Sequence, residues 1–169
     1  MTQQPLPPTQ GNILETLQKR GHLTATNVAV IQKFALRWSV SHYTAILETN
    51  VLSEGTLAEA IADCWAMPRL HQLRLLHIAH STLERIPYQH AREIICLPIG
   101  PHAATGRFAV VMADPTRADL IQRVKHLVGE ELTLAVAERT DIVGTVDEFY
   151  PLSSRLPTIW DGSRSPALG

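Results

Sequence analysis

Apolar residues near the start of the chain recur at the three- and four-residue spacing of an α-helix. Ile13, Leu14 and Leu17 share one face of a short helix, and Gly21 follows as a predicted C-terminal cap, because glycine adopts the left-handed conformation at little cost. Thr24 is a favourable N-cap for a second helix with the same spacing. The opening of the chain therefore predicts two short helices joined by a tight link.

The next segment repeats this arrangement. A third helix is predicted over residues 43–49, and Ser53 is a predicted N-cap for a fourth helix. Ser53 lies 29 residues after Thr24, and the same offset places Ile46 on Leu17. The two helix pairs are therefore predicted to form a tandem repeat.

Three apolar runs in the second half of the chain predict β-strands, over residues 93–99, 107–113 and 132–138. The link between the first two runs contains two glycines and a proline, as hairpin loops do. The middle run is apolar at consecutive positions, so both of its faces are expected to be covered. Pro98 favours a place for the first strand at a sheet edge or at a β-bulge.

The segment between the helical repeat and the strands has a mixed pattern. Residues 73–78 fit either a strand or the start of a helix. The string Ser81–Glu84 has the form of a capping box, which predicts a short helix over residues 82–92.

Two further helices are predicted around the last strand. Asp114 is a favourable N-cap and Pro115 a favourable first residue for a helix that Gly129 ends. A last helix is predicted over residues 141–150. Because a crossover helix joins the second and third strands, those two strands are expected to be parallel.

Together these patterns predict an α+β fold, in which an N-terminal tandem helix-pair repeat precedes a small β-β-α-β-α sandwich. The predicted divisions are a flexible leader, the helical tandem repeat, an α/β subdomain with a three-stranded mixed sheet, and a disordered tail, over residues 1–11, 12–67, 68–150 and 151–169 respectively. Trp160 lies in the predicted tail, where an exposed tryptophan would be suited to contacting a protein partner.

The composition narrows the range of functions. The 169 residues carry a net charge of −1, which argues against a partner that is a nucleic acid polymer. No apolar run is long enough for direct membrane insertion, and the polar, proline-rich start lacks the pattern of a signal peptide. These features predict a cytoplasmic domain, with Cys64 and Cys96 as buried free thiols.

The sequence contains none of the common short catalytic motifs. It has no Gly-Lys dipeptide and hence no Walker-type phosphate loop, and G-x-G-x-x-G, G-x-S-x-G and H-E-x-x-H do not occur. His77 and His80 would share a helical face, with His71 and His90 nearby, but carboxylates are sparse around them. The sequence therefore predicts that the protein is not an enzyme and has no metal site.

Several strings resemble one bacterial module. They are "GHLT", "VLSEGTLAEAIADCWAMP" and "CLPIG…GRFAVVMADPTRADLIQRVKHLVGEELTLAVAERTDIVGTVDEFY", of which the block over residues 97–115 is the most specific. Residues 12–150 resemble the MshEN-like N-terminal domain of type II secretion and type IV pilus assembly ATPases, which is similar to a module on some bacterial membrane glycosyltransferases. The 29-residue offset also matches that family.

One branch of that family binds cyclic di-GMP through two repeats. Each repeat there opens with Arg-Leu-Gly, continues with an apolar pair, and has a later Gly and a closing Gln. The positions that the resemblance implies as ligand-binding are Asn12, Ile13, Leu14, Leu17 and Gly21 in the first repeat, and Ser41, His42, Tyr43, Ile46 and Asn50 in the second. Ala35 and Cys64 stand at the glutamine positions. The arginines, leading glycines and glutamines are thus replaced, and the apolar skeleton remains.

The resemblance implies two alternative functions. The favoured one is a non-catalytic regulatory and docking module without a cofactor. Its protein partner would be an inner-membrane assembly component, or its motor or enzyme, and would recruit the domain to the inner membrane. The alternative is a sensor with a degenerate motif that binds cyclic di-GMP at the ten positions above.

Overall fold

Four helices form the first part of the computed structural model, which describes residues 12–155. They are α1 (Ile13–Lys19), α2 (Ala25–Trp38), α3 (His42–Glu48) and α4 (Glu54–Cys64). The predicted apolar positions face the interior, and Leu17, Ile31, Ile46 and Leu57 are completely buried. The four helices predicted for this region are confirmed.

Equivalent residues begin and end the helices of the two pairs. Each helix starts after a residue whose side-chain oxygen accepts a hydrogen bond from a backbone N–H of the first turn, and these residues are Asn12, Thr24, Ser41 and Ser53. Beyond α1 and α3, Gly21 (φ +81°) and Asn50 (φ +54°) both adopt the left-handed conformation. The tandem repeat is therefore confirmed, and the two pairs also share the positions of their N-caps and of the left-handed residues after α1 and α3.

Two short helices, α5 (His80–Leu83) and α6 (Tyr88–Ile94), replace the single helix predicted over residues 82–92. The predicted capping box does not form, because Ala79 is the N-cap of α5. Pro87 then lies between the two helices, where it has no N–H to donate and disfavours a helical conformation in the residue before it. The prediction of one continuous helix is wrong for these reasons.

A three-stranded mixed sheet forms the centre of the second part. Its strands, in spatial order, are β1 (Cys96–Pro101), β2 (Phe108–Met112) and β3 (Leu132–Val136). As predicted, the first pair is antiparallel and the second parallel, and the register of the first pair shifts between Pro98 and Gly100. The strand predicted over residues 93–99 starts too early, because Glu93 and Ile94 belong to α6.

Two longer helices complete the β-β-α-β-α order, and they are α7 (Ala118–Val128) and α8 (Arg139–Phe149). α7 ends at Gly129 (φ +77°), as predicted. Its predicted start is wrong, since Ala118 rather than Pro115 is its first residue. The Asp114 carboxylate does not cap the helix, because it accepts hydrogen bonds from Thr116 inside the loop before α7.

One hydrophobic core runs from the helical repeat into the sheet. The backbone of Arg69 forms a parallel bridge with Val136 of β3, and its guanidinium lies 2.9 Å from a carboxylate oxygen of Glu138. Glu54 of α4 accepts hydrogen bonds from the N–H and hydroxyl of Thr140 in α8, both at 3.0 Å. These contacts join the two parts across the predicted division after residue 67.

Short 3-10 turns occur in two remaining segments. Leu73–Leu75 form one such turn within the segment that fits either a strand or a helix by sequence. Leu152–Arg155 form another at the start of the predicted disordered tail. The predicted leader and the rest of the tail, including Trp160, lie outside the described residues. Within residues 12–155, no helix combines the length and the hydropathy that crossing a bilayer requires.

Candidate ligand cleft at the start of the two helix pairs

The N-terminal ends of α1 and α3 meet the loop between β2 and α7 at an open cleft of about 720 Å³, which we call the repeat cleft. The two N-caps, Asn12 and Ser41, lie on its wall together with Ile13, His42 and Tyr43. The opposite wall consists of residues 114–119, excluding Pro115. The tandem repeat therefore brings equivalent residues of both pairs to one place.

The structure divides the ten ligand positions implied by sequence into three groups. Five of them line the repeat cleft, namely Asn12, Ile13, Ser41, His42 and Tyr43. Leu14, Leu17 and Ile46 are buried in the hydrophobic core. Gly21 and Asn50 follow the C-terminal ends of α1 and α3, about 10 Å of helix from the cleft. Only the first group is placed to meet a ligand in this cleft.

A sharp turn between α2 and α3 shapes the helical wall of the cleft. Ser39 ends α2 in the left-handed conformation (φ +52°), and the N–H of Val40 donates to the carbonyl of Ala35 at 3.1 Å. Ser41 then accepts a hydrogen bond from the N–H of Thr44 at 3.2 Å and starts α3. The caps of two helices thus fix the backbone that lines this wall.

Asp114 and Tyr43 are the most buried polar residues of the cleft, at 7% and 6% exposure. The Asp114 carboxylate accepts hydrogen bonds from the N–H and the hydroxyl of Thr116, at 3.2 and 2.5 Å. Burial raises the pKa of Asp114, and these two hydrogen bonds oppose part of the rise. Burial also raises the pKa of the Tyr43 hydroxyl, and the negative charge of Asp114 adds to that effect. Both groups therefore favour their neutral forms more strongly than solvated groups do.

Among residues 12–155, Arg117 is the only lysine or arginine that lines the repeat cleft. Its Nε and Nη2 atoms lie 3.1 and 2.6 Å from the two carboxylate oxygens of Asp119, so the pair is bidentate. The cleft wall thus holds two carboxylates, those of Asp114 and Asp119, against one guanidinium. This balance provides no excess positive charge for a ligand with two phosphates.

Sequence reasoning missed the loop that carries Asp114 and Arg117. A usable signal was present, because the loop follows the carboxyl end of a predicted parallel strand, and open α/β sheets commonly bind ligands at that position. The sequence pattern instead predicts the first turn of a helix here, in which these polar side chains would face solvent.

A second group of polar side chains lies beyond the other end of α1. His22, Asp63 and Cys64 have their potential metal-binding atoms within 4.8 Å of one another, and they form the only such set of three among residues 12–155. His77 and His80, which the sequence pattern singles out, belong to no such set in that range. Sequence reasoning missed the group because residues so distant in the chain share no local spacing.

α2 also presents an exposed face that is both apolar and basic. Val30, Leu36 and Trp38 are 48%, 85% and 59% exposed, and Lys33 and Arg37 lie between them around the helix. The Arg37 guanidinium lies 5.5 Å from the centre of the Trp38 ring. Neither cation lies within 4.0 Å of a carboxylate of residues 12–155. We call these five residues the α2 face.

Solved structures with a similar fold include those of two proteins. A structure of MshE with cdg superposes with a TM-score of 0.67 at 17% identity, covering 83% of this chain and 99% of that chain. A structure of the N-terminal domain of XpsE has a TM-score of 0.68 at 21% identity, covering 83% and 94%. A second crystal form of that domain has a TM-score of 0.58 at 20% identity, covering 89% and 100%. At these identities the likeness establishes the fold.

A search among curated proteins finds no match to the sequence. The sequence profile of the MshEN domain, in contrast, matches residues 54–156, which is more than half of the chain. The match begins in the second helix pair and includes the whole sheet with α5 to α8. It confirms the resemblance seen in the sequence, and the chain belongs to the MshEN domain family.

Proposed function

We propose that this chain is a non-catalytic regulatory domain that docks onto a protein partner through the α2 face, and that the partner recruits it from the cytoplasm to the inner membrane. The α2 face carries the proposal. Leu36 is almost fully exposed, and Trp38 is more than half exposed although its ring lies beside Phe34. Tryptophan and arginine supply much of the binding energy at protein interfaces. Leu36 and Trp38 lie on either side of the two cations around α2, and the exposure of two such large apolar side chains is best explained by a partner.

The chemistry of the α2 face indicates the chemistry of that partner. α2 has no acidic residue, and Lys33 and Arg37 flank the exposed apolar side chains. A segment that combines apolar anchors with carboxylates would cover both features, since the apolar anchors would bury Trp38 and the carboxylates would meet the two cations. We therefore expect an acidic amphipathic segment of the cytoplasmic part of an inner-membrane assembly component.

The partner can be sought by quantitative capture from membrane and cytosolic fractions of the source cells, with the full chain immobilised. Trp38→Ala and Leu36→Ala should each weaken retention of the true partner about tenfold or more, because each removes a large exposed anchor. Leu75→Ala is the matched control, since Leu75 is equally large, is 73% exposed and lies outside α2.

Direct binding to the purified partner segment then completes the test. Titration with salt should weaken the complex, because exposed opposite charges are screened. If every protein captured by the wild type is retained equally by Trp38→Ala and Leu36→Ala, the α2 face is not the docking surface and the proposal is wrong.

A specific observation favours a second candidate function, binding of cyclic di-GMP in the repeat cleft. The starts of both helix pairs and Arg117 converge there, and a structurally similar protein is MshE with cdg, the abbreviation of cyclic di-GMP. The charge balance argues against it, because Asp119 already occupies the guanidinium of Arg117 in a bidentate pair.

Calorimetric titration with cyclic di-GMP separates the two candidates. We expect no heat of binding at micromolar concentrations, because the cleft offers two carboxylates to a ligand with two phosphates. Micromolar or tighter binding that Arg117→Ala weakens, while Arg123→Ala outside the cleft does not, would establish the sensor function instead. Substitutions of Asn12 and Tyr43 would then be expected to change the affinity too.

A further inference from the structure

The turn after α1 and the end of α4 bring together three side chains of the kinds that bind transition metals. The Nε2 atom of His22 lies 3.9 Å from a carboxylate oxygen of Asp63, and the Cys64 sulfur completes a set whose donor atoms are all within 4.8 Å of one another. Nitrogen, oxygen and sulfur donors of this kind are the usual protein ligands of zinc. From this arrangement we propose that His22, Asp63 and Cys64 form a binding site for a divalent transition metal of the zinc class.

The geometry needs only small adjustments to accept an ion. Zinc lies about 2.0 to 2.3 Å from such donors, so tetrahedral ligands lie roughly 3.3 to 3.8 Å apart. The His22–Asp63 separation is already close to this range, and no separation in the set needs to shrink by more than about 1 Å. Rotation of side chains can supply that change, because the carboxyl group of Asp63 is 64% exposed.

The surroundings favour a cation with an open coordination position. Cys64 is the last residue of α4, and His22 follows the C-terminal end of α1, so both residues lie at helix ends that carry partial negative charge. The His22 side chain is 31% exposed, which leaves room for a water molecule as a fourth ligand. The guanidinium of Arg20 is a positive charge near Cys64, but Arg20 is exposed, so solvent screens its repulsion of a cation.

The bound ion would fasten the two helix pairs to each other. His22 belongs to the link of the first pair, whereas Asp63 and Cys64 belong to the last helix of the second pair. An ion held by all three adds a cross-link between two helix pairs that already share a hydrophobic core and the His22–Asp63 pair. Saturation with metal therefore raises the melting temperature of the domain, because the ion binds the folded state.

Cobalt(II) provides a direct spectroscopic test on the tag-free full chain after treatment with a chelator. We expect a thiolate-to-cobalt charge-transfer band in the near ultraviolet that saturates at one equivalent and disappears when zinc is added. Cys64→Ser should abolish the band, and His22→Ala and Asp63→Asn should each weaken cobalt binding about tenfold or more. Circular dichroism checks that each variant is folded, and the exposed position of Asp63 makes Asp63→Asn the safest of them.

His80→Ala is the matched control, because His80 also lies beside a carboxylate, 3.2 Å from Glu84, but has no thiol in its group. It should leave the cobalt spectrum and the affinity unchanged. The absence of a charge-transfer band at saturating cobalt would overturn the proposal. A band that persists in folded Cys64→Ser would also overturn it, since the thiolate would then belong to Cys96.

Discussion

At the scale of single residues, Asp114 makes the stability of the domain depend on pH. Burial raises its pKa above the value in the unfolded chain, despite two hydrogen bonds from Thr116. Between these two pKa values the folded state binds more protons than the unfolded state, so stability falls as pH rises through that window. Above the raised pKa, the carboxylate is charged in the folded state, and its burial lowers the free energy of unfolding by the full amount.

Asp114→Asn removes this cost, because an amide oxygen can still accept the hydrogen bonds from Thr116 without carrying a charge. We expect the variant to gain stability relative to wild type at pH 7, and to gain less near pH 4, where wild-type Asp114 is more protonated. Urea unfolding at the two pH values measures the difference. A difference between variant and wild type that is independent of pH would contradict the argument.

Asp119→Asn is the control, because we expect it to change stability with pH in the opposite direction from Asp114→Asn. The hydrogen bonds from Arg117 lower the pKa of Asp119, so this carboxylate stabilises the fold above its unfolded pKa and loses that effect as pH falls through the folded pKa. Since the pair is largely exposed, the loss in Asp119→Asn should be small at pH 7 and absent at low pH.

At the scale of elements, the links after α1 and α3 have the same backbone conformation but different residues. Gly21 and Asn50 both have positive φ, and no atom lies within 4 Å of a Cβ placed on Gly21. Gly21→Ala should therefore destabilise the domain by about 1 kcal/mol through backbone strain alone. Gly21→Asn should cost less, because asparagine tolerates this conformation, as Asn50 does. Chemical denaturation of both variants measures the difference. Equal losses of stability would contradict the inference that asparagine is tolerated at position 21 as it is at position 50.

Helix ends that depend on local sequence can be predicted, whereas features that depend on tertiary contacts cannot. The N-caps Thr24 and Ser53 and the glycines that follow α1 and α7 act on residues within one turn, so local sequence patterns are sufficient to predict them. The helix start predicted at Asp114-Pro115 is wrong because the Asp114 carboxylate is buried at the end of β2, where it accepts hydrogen bonds from Thr116. Burial depends on the tertiary structure, so the local sequence does not reveal it. Five residues that line the cleft are among the positions implied by the family resemblance, whereas its other wall and the His22 group depend on contacts between distant segments.

At the scale of the whole molecule, the helical repeat and the sheet share one core and several polar contacts. Leu57 of α4 and Val136 of β3 belong to the same buried cluster, and Arg69 contacts both Glu59 of α4 and Glu138 beside β3. An ion pair that bridges two partly buried elements is lost when either one unfolds. We therefore expect the described residues to unfold as one cooperative unit, although the sequence suggests a division near residue 67.

Ile142→Ala tests this cooperativity, because Ile142 is completely buried in α8 and lies far along the chain from the repeat. The cavity should cost about 2–5 kcal/mol. In a Trp160→Phe background, fluorescence reports only on Trp38 and Trp65 of the helical part, while circular dichroism reports on the entire domain. If the core is continuous, both signals should shift to lower urea by the same amount, and Leu152→Ala at a 76% exposed position should shift neither. If instead the circular dichroism midpoint moves and the fluorescence midpoint does not, the helical repeat unfolds independently of the sheet and α8. The destabilisation caused by the cavity in α8 would then be confined to the second part of the domain.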